Sequence, residues 1–240
     1  MIRLKKIVAG AGLLSMLVLP FSAGHVFGSE QGGGVSPDEA LKKLMDGNAR
    51  YVEGKGKTAD LSEVRRQELT KGQKPFAIIV SCSDSRVAPE HLFDQGLGDL
   101  FVIRVAGNVV DQDELGSVEY AAEHLGTQLI VVLGHEKCGA VKATIDTGGK
   151  ADGNIGAIVK KIAPAVAAAK KTAKGDDLLN ACVQENAKKT ARDLVSKSKI
   201  LKHLAGEGKV KILVGEYMLS TGKVEMIETA AAKGGDKHKH

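Results

Sequence analysis

Phe76-Ala-Ile-Ile-Val-Ser81 is apolar at every position but its last and leads straight into Cys82-Ser-Asp-Ser-Arg86. A short run that is apolar throughout, rather than alternating, is what a strand covered on both faces requires. Two further runs have the same character, Leu100–Val105 and Leu129–Leu133, and Val210–Val214 adds a fourth. Helical stretches separate them, the pattern of crossover units that build a parallel sheet. Near the end, Tyr217–Ser220 and Val224–Ile227 flank Thr221-Gly222, which predicts a hairpin whose last strand joins the sheet edge antiparallel. The expected fold class is α/β: a mainly parallel central β-sheet flanked by helices, with an antiparallel C-terminal edge strand.

The intervening segments carry helix signals. Ser36 can cap a helix with Pro37 at its first position and Glu39 at its third, and Ala40, Leu41, Leu44, Met45 and Asn48 follow at helical spacing. Ser117 is positioned to cap a second helix, with Val118, Ala121, Ala122 and Leu125 on one face and Gly126 ending it. A longer helical region follows Gly156, broken at Pro164 and again around Gly175, and resumes over Leu178–Ala205.

At the amino end, Arg3, Lys5 and Lys6 precede an apolar run from Ile7 to Phe21, and small residues follow up to Gly28. Residues 1–28 therefore read as an export signal, and the mature chain is expected in the periplasm or secreted. Gly10, Gly12, Ser15 and Pro20 weaken that run as a permanent span, so no stable membrane anchor is expected after its removal. Residues 29–35 read as a flexible leader, 36–229 as one catalytic domain, and 230–240, ending Lys-His-Lys-His, as a disordered tail.

The 240 residues are 43% hydrophobic, enough for one domain with a full core. Aromatic residues are only 3% and tryptophan is absent, which disfavours a base-stacking surface. The net charge of +5 falls to about +2 without the amino-terminal segment, and the remaining lysines are interspersed with acids, so nucleic acid is not an expected partner. The three cysteines are an odd number for a disulfide framework, and metal coordination would keep two of them occupied in an oxidising compartment.

Chemistry-bearing residues cluster after two of the apolar runs. Cys82, Asp84 and Arg86 follow the first, and Gly134-His-Glu-Lys-Cys-Gly139 follows the third. In a parallel sheet both segments lie at the carboxyl edge, where open α/β folds bind ligands. His135 and Cys138 are three residues apart, so on the first turn of a helix both side chains can reach one atom, and the helix N-terminus favours a thiolate. With Cys82 they form a two-sulfur, one-nitrogen set suited to catalytic zinc with one position open; Asp84 could fill that position as a fourth ligand. Alone, a cysteine ending a buried strand is an ordinary core residue and His-x-x-Cys arises by chance; their joint placement carries the reading.

These paired motifs resemble the signature of β-class carbonic anhydrases. The segments Asp94–Phe101, Arg104–Asn108 and Ser117–Tyr120 are similar to that family as well, so the resemblance spans most of residues 36–228. It implies one Zn2+ on Cys82, His135 and Cys138, with Asp84 and Arg86 as a catalytic dyad. The implied reaction is reversible hydration of carbon dioxide to bicarbonate and a proton by a zinc-held hydroxide. The smallest active unit is expected to be a homodimer, alone or within a dimer-based tetramer. Arg86 can hold Asp84 by two parallel hydrogen bonds and keep it off the metal, or release it to close the site.

Two other readings stay open: hydrolysis of carbonyl sulfide or carbon disulfide on the same site, and a non-catalytic exported module stabilised by zinc. Gly139 is expected to allow close approach of a helix start, and Gly107-Asn108 to shape a loop beside the site. Gln95 is not counted as catalytic. His91 and His124 read as ordinary helix histidines, and Cys182 as a buried apolar residue.

Overall fold

The computed structural model describes residues 34–57 and 59–227. The expected export signal, the first part of the leader and the tail lie outside the described residues. Five strands, β1 (Ala77–Ser81), β2 (Leu100–Arg104), β3 (Leu129–His135), β4 (Lys211–Tyr217) and β5 (Val224–Ile227), form one sheet in the order β2-β1-β3-β4-β5. The first four pair in parallel and β5 joins β4 antiparallel, from Val214↔Ile227 to Tyr217↔Val224. This is the expected α/β architecture. β1 and β3 are buried at every residue, as the apolar runs that make up most of each require.

Helices cover both faces. On one face α1 (Pro37–Val52) and α3 (Pro89–Leu92) bring Ala40, Leu44 and Leu92 onto Ala77, Ile79, Leu129 and Val131. On the other, α4 (Gln112–Glu119), the π turn Tyr120–His124, α7 (Asp177–Lys197) and α8 (Lys199–Gly206) bring Val118, Ala121, Ala187, Leu194 and Leu201 onto Ile78, Val80, Ile130 and Val132. Each valine, leucine and isoleucine among them contributes about 1.5–3 kcal/mol when fully removed from water. A third cluster forms at the carboxyl edge, where α5 (Gly139–Asp146), α6 (Ile155–Ala169) and α7 pack Val141, Ile162, Val166 and Val183 around Cys82 and Cys138. The short α2 (Glu63–Leu69) buries no residue. Among the described residues no helix is long and apolar enough to cross a membrane.

Several expected boundaries shift. Ser36 caps α1 as expected, accepting from the Glu39 N–H. Ser117, however, lies inside α4, where its hydroxyl donates to the Asp113 carbonyl at 2.9 Å. The helix begins earlier because Asp111 and Glu114 form a reciprocal capping box, which satisfies two free amides at once. Pro164 does not break α6. The lost backbone bond is offset by burial of Ile162, Ala165 and Val166 against the neighbouring helices. The region from Leu178 to Ala205 is two helices, because Ser198 is extended and caps α8 through the Leu201 N–H. β4 runs through Tyr217, so it is itself the first arm of the hairpin, and Gly222, with φ +76°, helps turn the chain into β5.

Candidate metal centre

The link from β1 to β2 crosses one face through α3, and the link from β3 to β4 crosses the other through α7 and α8. The two connections leave β1 and β3 in opposite directions, which opens a crevice between the carboxyl ends of these adjacent strands. Cys82 is the first residue beyond β1, His135 is the last residue of β3, and Cys138 is the N-cap of α5. All three are buried, and their ligand atoms lie within 4.8 Å of one another.

His135 and Cys138 do not share a helical turn. β4 extends the ladder with Gly134↔Glu216 and His135↔Tyr217, and the Glu136 N–H donates to the Tyr217 carbonyl at 2.9 Å. The strand therefore ends later than the apolar run suggests, and the chain reverses through Lys137 in the left-handed region, φ +55°. The amides of Ala140 and Val141 at the start of α5 still favour the Cys138 thiolate, as a helix N-terminus should, although the neighbouring Cys82 and burial outweigh them. Gly139 has open space where a side chain would project, so close approach does not require glycine there. Gly107 is different: at φ +70° an added Cβ would sit 2.6 Å from Ile162 Cδ1 and 3.2 Å from Ala140 Cβ.

The donor chemistry suits a divalent cation. Nδ1 of His135 lies 2.9 Å from the Glu136 carbonyl, which assigns it the proton and leaves Nε2 as the bare nitrogen, buried and without a hydrogen-bond partner. The Cys82 thiol is drawn down to about 4, chiefly by the hydrogen bond from Cys138, against burial and with help from His135 and the Gly107 and Asp84 amides. The same bond, with burial, pushes Cys138 up. Burial opposes a charged His135, yet the Cys82 sulfur beside it raises the imidazole. A cation among these three atoms would satisfy both sulfurs and Nε2.

Asp84 and Arg86 meet as a fork. Oδ1 accepts from Arg86 N at 3.0 Å and Nε at 2.9 Å, and Oδ2 accepts from Nη2 at 2.7 Å. The guanidinium holds the Asp84 carboxyl well below the usual carboxylate range, and Oδ2 lies 3.8 Å from His135 Nε2. Arg104, from the end of β2, donates to the Cys82 carbonyl at 3.1 Å and the Asp84 carbonyl at 2.7 Å. Gly107 N–H donates to Cys82 Sγ at 3.2 Å, and Asn186 on α7 donates to the Gly107 carbonyl at 2.7 Å. A lone arginine closing an apolar strand was a readable signal for Arg104; nothing in the sequence around Asn186 marks it. At Gly134 an added Cβ would sit 3.2 Å from Val183 Cγ1, so glycine there lets α7 lie close beside the site.

The remaining candidates lie apart from this cluster. His91 is exposed on α3, and His124 closes the π turn with its ring centroid 5.6 Å from that of Tyr120. Gln95 turns inward on its own loop and donates to the Phe93 carbonyl. Cys182 is buried on α7, and burial pushes its thiol up.

Two buried sulfurs and one imidazole nitrogen at the switch point of a parallel sheet, beside a carboxylate held by an arginine, define a zinc protein of the catalytic type. The carbonic anhydrase family profile matches residues 77–224, and the chain belongs to that family, in its β class. The carbonic anhydrase of Mycolicibacterium smegmatis is 41% identical over 194 residues, covering 80% of this chain and 93% of the relative. The Coccomyxa β-carbonic anhydrase solved with acetazolamide is 26% identical with a TM-score of 0.63, covering 78% of this chain and 86% of that one. A tetrameric β-carbonic anhydrase from Sordaria macrospora shares the fold at a TM-score of 0.63 and 19% identity, over 79% of this chain and 97% of that one. Zinc is the metal of this class, and Cys82, His135 and Cys138 are the group that could hold it.

Proposed function

We propose that the chain hydrates carbon dioxide reversibly to bicarbonate and a proton, with Asp84 and Arg86 as its catalytic pair. The observation that carries this reading is the fork that holds Asp84 at the rim of the three donors, with Oδ2 facing His135. Cys82, His135 and Cys138 would hold zinc, which would supply a Lewis acid able to make water a nucleophile near neutral pH. Oδ2 of Asp84, which faces His135, would accept a hydrogen bond from that water and orient it. Arg86 holds the carboxyl well below the usual range, so it would stay ionised and position the proton without retaining it. Arg86 fixes Asp84 through two parallel bonds, which supports an open site and disfavours Asp84 as fourth ligand. The anionic sulfurs offset the ion's charge, so activity rises toward alkaline pH.

Stopped-flow hydration with a pH indicator, on zinc-loaded wild type and Asp84→Asn, tests the assignment. Rapid hydration that falls at least about 100-fold in the variant is expected. Zinc-loaded wild type that turns over carbonyl sulfide or carbon disulfide but not carbon dioxide would move the reading to those substrates. Inertness toward all three would leave a zinc-stabilised module.

The assembly reading is a homodimer, alone or doubled into a tetramer, supported by the edge position of β2 and by the tetrameric Sordaria relative. Light scattering on the zinc-loaded chain decides it. The cationic start and apolar run of residues 1–28 support export, which fractionation with sequencing of the mature amino terminus checks.

A further inference from the structure

The Cys82 sulfur accepts a backbone hydrogen bond from Gly107 at 3.2 Å, in the short turn Ala106–Asn108. Ile162 and Ala140 leave no room for a side chain at that position. Glycine is also the residue with the widest backbone freedom, so the requirement for space works against a fixed N–H direction. An anchor on the same residue resolves the conflict. Asn186 reaches across from α7 and donates to the Gly107 carbonyl at 2.7 Å. The amide is 1% exposed and its Oδ1 has no partner, so a buried polar group is kept here for a single bond. α7 is itself held to the site through Gly134, where Val183 and Ala187 close on the residue before His135. Asn186 therefore sits on the element that touches both halves of the donor set.

We propose that Asn186 is a positioning residue of the zinc site: by fixing Gly107 it aims the Gly107 N–H at the Cys82 sulfur and so tunes how strongly that sulfur binds the metal. This rests on the reading of Cys82, His135 and Cys138 as the metal ligands. Hydrogen bonds that orient and polarise a ligand alter metal affinity by roughly 10–100-fold.

The test uses the full chain loaded with the spin-active cadmium isotope, and with cobalt or zinc in parallel. In wild type, isotope-edited NMR is expected to show scalar coupling between cadmium and the Gly107 amide proton, carried through the N–H···S bond. Asn186→Leu keeps the volume, lacks the donor and removes the unpaired Oδ1; Asn186→Ala removes the side chain. Both are expected to lose the coupling, shift the cobalt–thiolate charge-transfer band, and weaken zinc about 10-fold against a chromophoric chelator. Absence of the coupling in cadmium-loaded wild type overturns the proposal without any variant. So does a folded variant that keeps the coupling, the band and the affinity. A wild-type chain whose Cys82, His135 and Cys138 resonances ignore cadmium would instead sink the ligand assignment, which separates the two failures.

Discussion

The loop after β1 and the loop after β3 each deliver metal donors to the same crevice, but they are held by different forces. Residues 82–86 are fixed by side chains: the Asp84–Arg86 fork, and Arg104 on the carbonyls of Cys82 and Asp84. The Arg86 side chain is 54% exposed, so this loop depends on charges that water and salt can reach. Residues 134–138 are fixed by the main chain, through the continued ladder to β4, the Glu136 amide on Tyr217 and the start of α5. The second loop is thereby less sensitive to side-chain substitution, and in the first the position of the carboxylate depends on Arg86. A site that presents one oriented acid beside its metal donors uses both kinds of support.

The largest effect should come from the ligands themselves, which both loops supply. Cys138→Ala is expected to remove zinc, measured by elemental analysis, and to bring hydration to background; retention of stoichiometric zinc would break the three-donor assignment. Next, Arg86→Lys keeps the charge and loses the fork, and should lower hydration roughly 10–100-fold with zinc retained. That defect should deepen as salt is raised, because the surviving pair is exposed.

Gly107→Ala tests the support beneath Cys82 rather than either loop. Its strained φ and the contact with Ile162 should cost roughly 1–3 kcal/mol in chemical denaturation, and Ile162→Val in the same chain should recover part of it. The smallest effect is expected at Lys137→Gly. Relief of a left-handed lysine is offset by greater freedom in the unfolded chain, so stability should change by no more than about 1 kcal/mol and hydration should hold. A loss there as large as that of Arg86→Lys would overturn the contrast between the loops.

The strands were readable because β1 and β3 are buried at every position and so are apolar up to their carboxyl ends, where Ser81 and His135 stand. The donors were readable because cysteine, histidine and a spaced acid–arginine pair have few other reasons to stand directly after such strands. Boundaries were less so. The capping box at Asp111 and the passage of α6 through Pro164 depend on which competing local bond or packing contact prevails. The extension of β3 to His135 depends on β4, more than seventy residues away in the chain.

Residue types and their order thus determined the α/β class, the three candidate metal donors and the acid–arginine pair, since each follows from local hydrophobicity or from donor chemistry. Tertiary structure alone decided how the ligands converge, which Asp84 oxygen faces His135, and that Arg104 and Asn186 support the site. Those facts rest on hydrogen bonds between segments 20 to 79 residues apart, such as Arg104 to Asp84 and Asn186 to Gly107. Local periodicity carries no record of pairing over such separations; only the pairing of β2 with β1 and the packing of α7 over β3 and β4 bring the partners together.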